Sequence, residues 1–223
     1  QIMAILSIGM APFFLQLLSS GIAFLINSTL AEYAGSPLMA DRAVGAYGII
    51  NSIALVGFMF MLGIAQGMQP IVGYNYGARA MRRVRQTFNI CAVVNLSIGL
   101  FVTVAALSAP RFLASMFTSS PEMIEASADA LRCCIYGFAF VGFQVTATQF
   151  FQSIGFGGKA MLLSLSRQTL FLIPALFGFP LLWGSKGVWV ALPFSDICAG
   201  VLGIILMAYQ FRLFDRRAEQ EGL

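Results

Sequence analysis

Few side chains in this sequence could do chemistry. The 223 residues contain no histidine, so the usual metal ligand and near-neutral general base is missing and no Ser, His and Asp set exists. What remains are ionisable groups inside apolar runs, where a charge is expensive and therefore marks a functional position. Asp196 is the clearest. It falls about nine residues into the last apolar run, roughly 13 Å deep at 1.5 Å per residue, in the context Ala191-Leu192-Pro193-Phe194-Ser195-Asp196. Pro193 frees a backbone carbonyl and opens room for water or a ligand. Two readings of Asp196 stand side by side: a proton or cation site facing a cavity, or a carboxylate bonded to Ser or Thr between helices. Arg167 is read as snorkelling to the cytoplasmic interface, and Glu32 as solvated at the outer end of the first helix.

The uncharged polar residues are patterned. Gln16, Ser20, Ala23 and Asn27 follow i, i+4, i+7 and i+11, and Gln144, Thr148 and Gln152 follow i, i+4 and i+8, so each set shares a helix face. Asn51 and Gln69 lie five turns apart, with Leu55, Phe58 and Leu62 between them. Such stripes are either cavity walls suited to a bulky, partly apolar substrate or interhelical hydrogen bonds. The recurrence of three stripes favours the cavity. Gly63 and Gly67, spaced G-x-x-x-G, predict close helix packing.

These residues need elements to position them, and the composition says which. The chain is 59% hydrophobic and only 10% charged, against about 25% charged in soluble domains. Six runs are long enough to cross about 30 Å of hydrocarbon: about 11–33, 44–69, 86–109, 130–153, 160–183 and 187–213. They are continuous rather than alternating, so they read as helices and not as strands of a barrel. The fold class is an all-α membrane protein, a six-helix bundle over 1–213 with a cytoplasmic tail, 214–223. In the connection 108–129, residues 110–118 predict a short interfacial helix and Ser120-Pro121-Glu122 a helix start.

Nine of the 13 basic residues fall on one side of this topology, including Arg79, Arg82, Arg83, Arg85, Lys159, Arg212, Arg216 and Arg217. The positive-inside bias then places both termini in the cytoplasm, and the expected location of the bundle is the plasma (inner) membrane. The same bias and lipid headgroups explain the basic cluster at 79–85, so no nucleic-acid partner is expected. No phosphate-cradling loop is present, Gly155-Phe156-Gly157-Gly158 reads as a tight turn, and no cofactor or enzymatic activity is expected. Cys91, Cys133, Cys134 and Cys198 read as small hydrophobes, not as a metal site or disulfide frame. No basic region precedes the first apolar run, so no cleavable signal is expected. The start at Gln1 suggests a fragment or processed product.

The run Gln69-Pro70-Ile71-Val72-Gly73-Tyr74-Asn75-Tyr76-Gly77-Ala78 closely resembles the signature after the eighth helix of multidrug and toxic compound extrusion (MATE) transporters. Phe150-Phe151-Gln152-Ser153-Ile154-Gly155, Ser166-Arg167-Gln168, Phe171-Leu172-Ile173-Pro174, Gly187-Val188-Trp189, Pro193 and Asp196 match in order and spacing, as do Pro12, Gln16 and Asn27. The resemblance covers nearly the whole chain. It implies the C-terminal lobe of a twelve-helix transporter, with an N-terminal six-helix lobe as its partner. It also implies export of cationic or amphipathic drugs in exchange for protons or sodium, through a cavity between rocking lobes. In this chain the first helix carries Gln16 and Asn27 where some members carry a Glu. Candidate cavity contacts are Gln16, Asn27, Asn51, Gln144, Thr148 and Gln152, with Asp196 for ion coupling. The Gln69, Pro70, Gly73, Asn75, Tyr76 and Gly77 motif is expected to shape the cytoplasmic end and its helix breaks. The alternatives are a flippase for lipid-linked oligosaccharides, whose anionic cargo calls for several basic residues inside the bundle where Arg167 alone qualifies, and a non-transporting scaffold.

Overall fold

A computed structural model describes the backbone of residues 2–220 and the side chains of 16–216. Pro12, Arg217 and residues 221–223 fall outside what it describes in side-chain detail. Nine α-helices follow one another among the described residues: α1 (Ile2–Glu32), α2 (Pro37–Gly77), α3 (Met81–Ser108), α4 (Pro110–Ser115), α5 (Pro121–Cys134), α6 (Phe138–Ser153), α7 (Gly157–Leu165), α8 (Ile173–Trp183) and α9 (Ser185–Gln220). A 3₁₀ turn at Ile135–Gly137 joins α5 to α6, and a π-helical segment at Ser166–Leu172 joins α7 to α8. The result is six long columns with α4 lying between the third and fourth. Five of these, Pro37–Gly77, Met81–Ser108, Pro121–Ser153, Gly157–Trp183 and Ser185–Arg216, are long and apolar enough to cross a membrane. The sixth, α1, has 31 residues.

The lobe is apolar on its outside, with polar groups on its inside. Phe24, Phe60, Phe101, Leu181 and Leu182 are exposed, whereas Asn95, Thr103, Gln144, Thr146, Ser195 and Asp196 are buried. Lipid tails are as apolar as leucine, so close packing and buried hydrogen bonds hold such helices together. Glycines set the closest approaches. A Cβ on Gly142 of α6 would sit 2.4 Å from the Asn95 carbonyl oxygen of α3, and one on Gly187 2.4 Å from the Phe179 backbone. Gly63 and Gly67 make no such contact: nothing lies within 4 Å of either Cβ position. Their spacing predicted close packing, but both face outward from the lobe. Asn95, fully buried, donates from Nδ2 to the Met61 carbonyl at 3.1 Å and to Thr146 Oγ1 at 2.8 Å, tying α3 to α2 and α6.

The two ends differ in charge. At one, Arg85 pairs with Asp215 at 3.4 Å, and Lys159 donates to Gln210 at 2.6 Å among the Phe151, Phe156 and Tyr209 rings. Phe88, Phe150, Phe211 and Phe214 form an aromatic cluster beside them. Residues 214–216 therefore belong to the packed lobe: α9 continues as helix through the stretch expected to be a tail, and Phe214 is buried. At the other end basic and acidic residues balance in pairs, Arg42 with Glu122, Arg111 with Glu125 and Arg132 with Asp129.

The motif from Gln69 to Gly77, expected to break the helix, is helical throughout. Pro70 sits inside α2, which ends at Gly77. A proline costs an interior helix one hydrogen bond and a clash with the carbonyl four residues back; neighbouring helices accommodate that in membrane spans. Gly73 packs against the end of α6, its Cβ position 3.3 Å from the Ser153 carbonyl. Asn75 Nδ2 caps the Ile71 carbonyl at 2.8 Å, and the Tyr76 ring lies 5.8 Å from that of Phe214. The chain turns after the motif, with Arg79 left-handed at φ 57°.

Candidate functional site

Inside the lobe is a cavity of about 440 Å³. Its walls are α1 (Gln16, Ser19, Ser20), α2 (Tyr47, Asn51), the α5–α6 junction (Cys134, Phe138), the π-helical segment (Arg167, Gln168) and α9 (Asp196). Asp196 is the only acid and Arg167 the only base among the described residues that line it.

The two charges are paired. Arg167 Nε lies 2.7 Å from Asp196 Oδ1. Arg167 is expected to snorkel outward; it turns inward instead, at the start of the π-helical segment, because the buried Asp196 carboxylate offers it a counter-charge. Pro174 stands at the start of α8, just beyond the segment. Its ring excludes the ordinary hydrogen bond to the carbonyl four residues earlier, and a π-helical stretch is one way to relieve that crowding. The energetic logic of the pair is that a lone carboxylate here would carry a large desolvation cost, which the guanidinium offsets. On the α9 side, Gly137 lets the α5–α6 junction approach closely: a Cβ there would sit 2.6 Å from Asp196 Cβ and 2.8 Å from the Pro193 carbonyl. Of the two sequence readings of Asp196, the bond to Ser or Thr is replaced by the ion pair. Ser195 beside it donates to the Leu192 carbonyl at 2.8 Å.

Next to the pair, the Gln168 side-chain amide bonds Ser19 Oγ, at 3.1 Å from Nε2, and so ties the π-helical segment to α1. Gln16 and Asn51, both exposed to the cavity side, complete a polar wall.

The remaining candidates from the polar stripes lie elsewhere. Gln144 is buried and donates from Nε2 to the Leu163 carbonyl at 2.7 Å, stitching α6 to α7. Gln152 accepts from Gln69 Nε2 at 3.2 Å, and Gln149 also accepts from that nitrogen, so the three amides link α2 to the end of α6. Thr148 is half-buried on the same helix, away from the cavity walls. Asn27 does not line the cavity either, and its Oδ1 is buried without a hydrogen-bond partner. The spacing of the α6 stripe is real, but its face points into neighbouring helices. Sequence reading missed Tyr47, Ser19 and Gln168, which fall in no stripe, and Gln149. The Arg167-Gln168 dipeptide inside an apolar run ahead of Pro174 was the available signal.

Membrane-crossing helices around a polar, ion-paired cavity define the class as a multi-pass membrane protein. Residues 12–177 match the family model MatE, and the chain belongs to that family. It is 25% identical over 212 residues to the multidrug export protein MepA of Staphylococcus haemolyticus, covering 94% of this chain and 45% of that protein. It is 27% identical over 214 residues to MepA of Staphylococcus aureus strain MSSA476, covering 93% and 44%. Among solved structures it resembles an outward-facing multidrug resistance MATE family transporter of the MOP superfamily (TM-score 0.81, 22% identity, 91% of this chain and 45% of that one). It also resembles an inward-facing one (TM-score 0.78, 21% identity, 91% and 46%). The fold is one lobe of the MATE architecture. The chain spans about half the length of the curated relatives it matches.

Proposed function

We propose that this chain forms the C-terminal lobe of a secondary transporter that exports amphipathic drug-like molecules, organic cations among them, in exchange for protons or sodium. The observation that carries this is the Arg167–Asp196 pair on the wall of a cavity inside a membrane lobe. A carboxylate that gives up its arginine for a proton or sodium ion changes the charge of that wall, which is what ion coupling needs. The partner is an N-terminal six-helix lobe, the surroundings are the lipid of the plasma (inner) membrane, and both termini are cytoplasmic. Support for that orientation comes from the two ends of the lobe: the arginine-rich connection after α2, Lys159 and the C-terminal arginines share one end.

The test is efflux of ethidium from cells carrying this chain with its complementary half. Asp196→Asn is expected to abolish ion-driven efflux while membrane expression persists. Wild-type efflux in that variant would remove Asp196 from the coupling site. Absence of efflux in the wild type as well would reject the exporter reading.

A further inference from the structure

The two members of the ion pair are not equally placed. The Arg167 side chain is 34% exposed and that of Asp196 is 9% exposed. The guanidinium therefore fronts the cavity and the carboxylate lies behind it. The pair closes through Nε, 2.7 Å from Asp196 Oδ1. An arginine presents five N–H donors in a fixed fork, well matched to planar or tetrahedral oxyanions. The Nη edge carries the other four, and Arg167 lines the cavity together with the side-chain amides of Gln16 and Asn51.

From this we infer that the cavity takes the acidic end of an amphiphile, an organic carboxylate, sulfonate or phosphate monoester with an apolar body, held by the Nη edge of Arg167. This goes beyond the export reading. An oxyanion reaches Arg167 without moving anything. An organic cation seeking Asp196 has to compete with Arg167, which already holds that carboxylate at 2.7 Å. No second acid among the described residues lines the cavity to hold a cation instead. The apolar walls, Ile22, Ile26, Leu55 and Phe138 among them, receive the body of the ligand. A single arginine suits one small acid group and not the several phosphates of a lipid-linked oligosaccharide.

The experiment uses two probes with the same body and opposite charge, naphthalene-2-sulfonate and naphthyl-trimethylammonium. Each is titrated by equilibrium dialysis against the 223-residue chain in neutral-detergent micelles, with empty micelles subtracted and size-exclusion profiles checked for every variant. The sulfonate is expected to bind, about tenfold more weakly in Arg167→Gln, with part of that loss recovered in Arg167→Lys. Asp196→Asn is expected to tighten it, because the competing negative charge behind the guanidinium is gone. A merely structural role for the pair predicts equal harm from all three variants. The double variant Arg167→Gln with Asp196→Asn removes both charges together and keeps the comparison usable if either single variant misfolds; the sulfonate should bind it as weakly as Arg167→Gln. Ammonium binding that strengthens in Arg167→Gln would overturn the inference and make Arg167 a tethered competitor for cations. Sulfonate binding indifferent to Arg167 would overturn it too. Efflux is scored separately: efflux intact without Arg167-dependent sulfonate binding sinks this inference alone, and sulfonate binding without efflux sinks the exporter reading alone.

Discussion

Glutamines and asparagines in this lobe divide into those that hold helices together and those that face open space, and the division predicts opposite phenotypes. Gln144 spends its amide on the Leu163 carbonyl, deep between α6 and α7. Gln144→Leu should lower thermal stability in micelles by an amount typical of an interhelical bond, about 0.6–2 kcal/mol, while probe binding in the cavity is unchanged. The Leu163 carbonyl keeps a second donor, Ser166 Oγ at 2.9 Å, which places the loss toward the smaller value. Asn51, exposed on the cavity wall, should behave the other way: Asn51→Leu alters probe binding and leaves the melting temperature in place. A Gln144→Leu variant that loses binding at full stability would move that residue into the site. Asp196, Gln16 and Asn51 were legible in the sequence because polar groups inside apolar runs are rare and costly. Gln144, Gln152 and Asn27 looked the same by that criterion. Periodicity shows which residues share a face, but only the neighbouring helices decide what that face meets.

Helices here pack through backbone proximity, and the sequence misdirects on where. The G-x-x-x-G pair, Gly63 and Gly67, faces open space, whereas Gly142 and Gly187 stand against backbone atoms 2.4 Å from their Cβ positions. Gly142→Ala should force α3 and α6 apart and cost about 1–3 kcal/mol, as overpacking does, visible as a lowered melting temperature or loss of the monodisperse elution peak. Gly63→Ala should be neutral or slightly stabilising within this lobe, since helical alanine is favoured over glycine by roughly 0.5–1 kcal/mol. A strong defect from Gly63→Ala would show that its face is covered by a partner, as the proposed second lobe would cover it. The helical columns were readable from apolar run length alone. The π-helical segment was not, because reading helix faces from spacing assumes 3.6 residues per turn throughout, and Ser166–Leu172 departs from it. Arg167 stands at the start of that segment and meets Asp196 across helices, so the central contact of the site was hidden while one of its members was plain.

For the whole lobe, the arrangement of charge sets a topology that can be measured. Single cysteines replacing Arg79 and Ser185 in a background lacking Cys91, Cys133, Cys134 and Cys198 should label from opposite faces of the membrane, Arg79→Cys from the cytoplasm and Ser185→Cys from outside. Labelling of both from one face would break the proposed topology, and labelling from exchanged faces would invert it. The length of α2 bears on how such a lobe moves. Its 41 residues span about 61 Å, roughly twice the hydrocarbon thickness, and its helix is uninterrupted through Pro70 to Gly77. One wall of the cavity, at Tyr47 and Asn51, and the arginine-rich corner after Gly77 therefore sit on a single rod. A shift of the wall at Asn51 would be carried along this rod toward that corner, some seven turns away, and would couple what the cavity holds to the membrane surface.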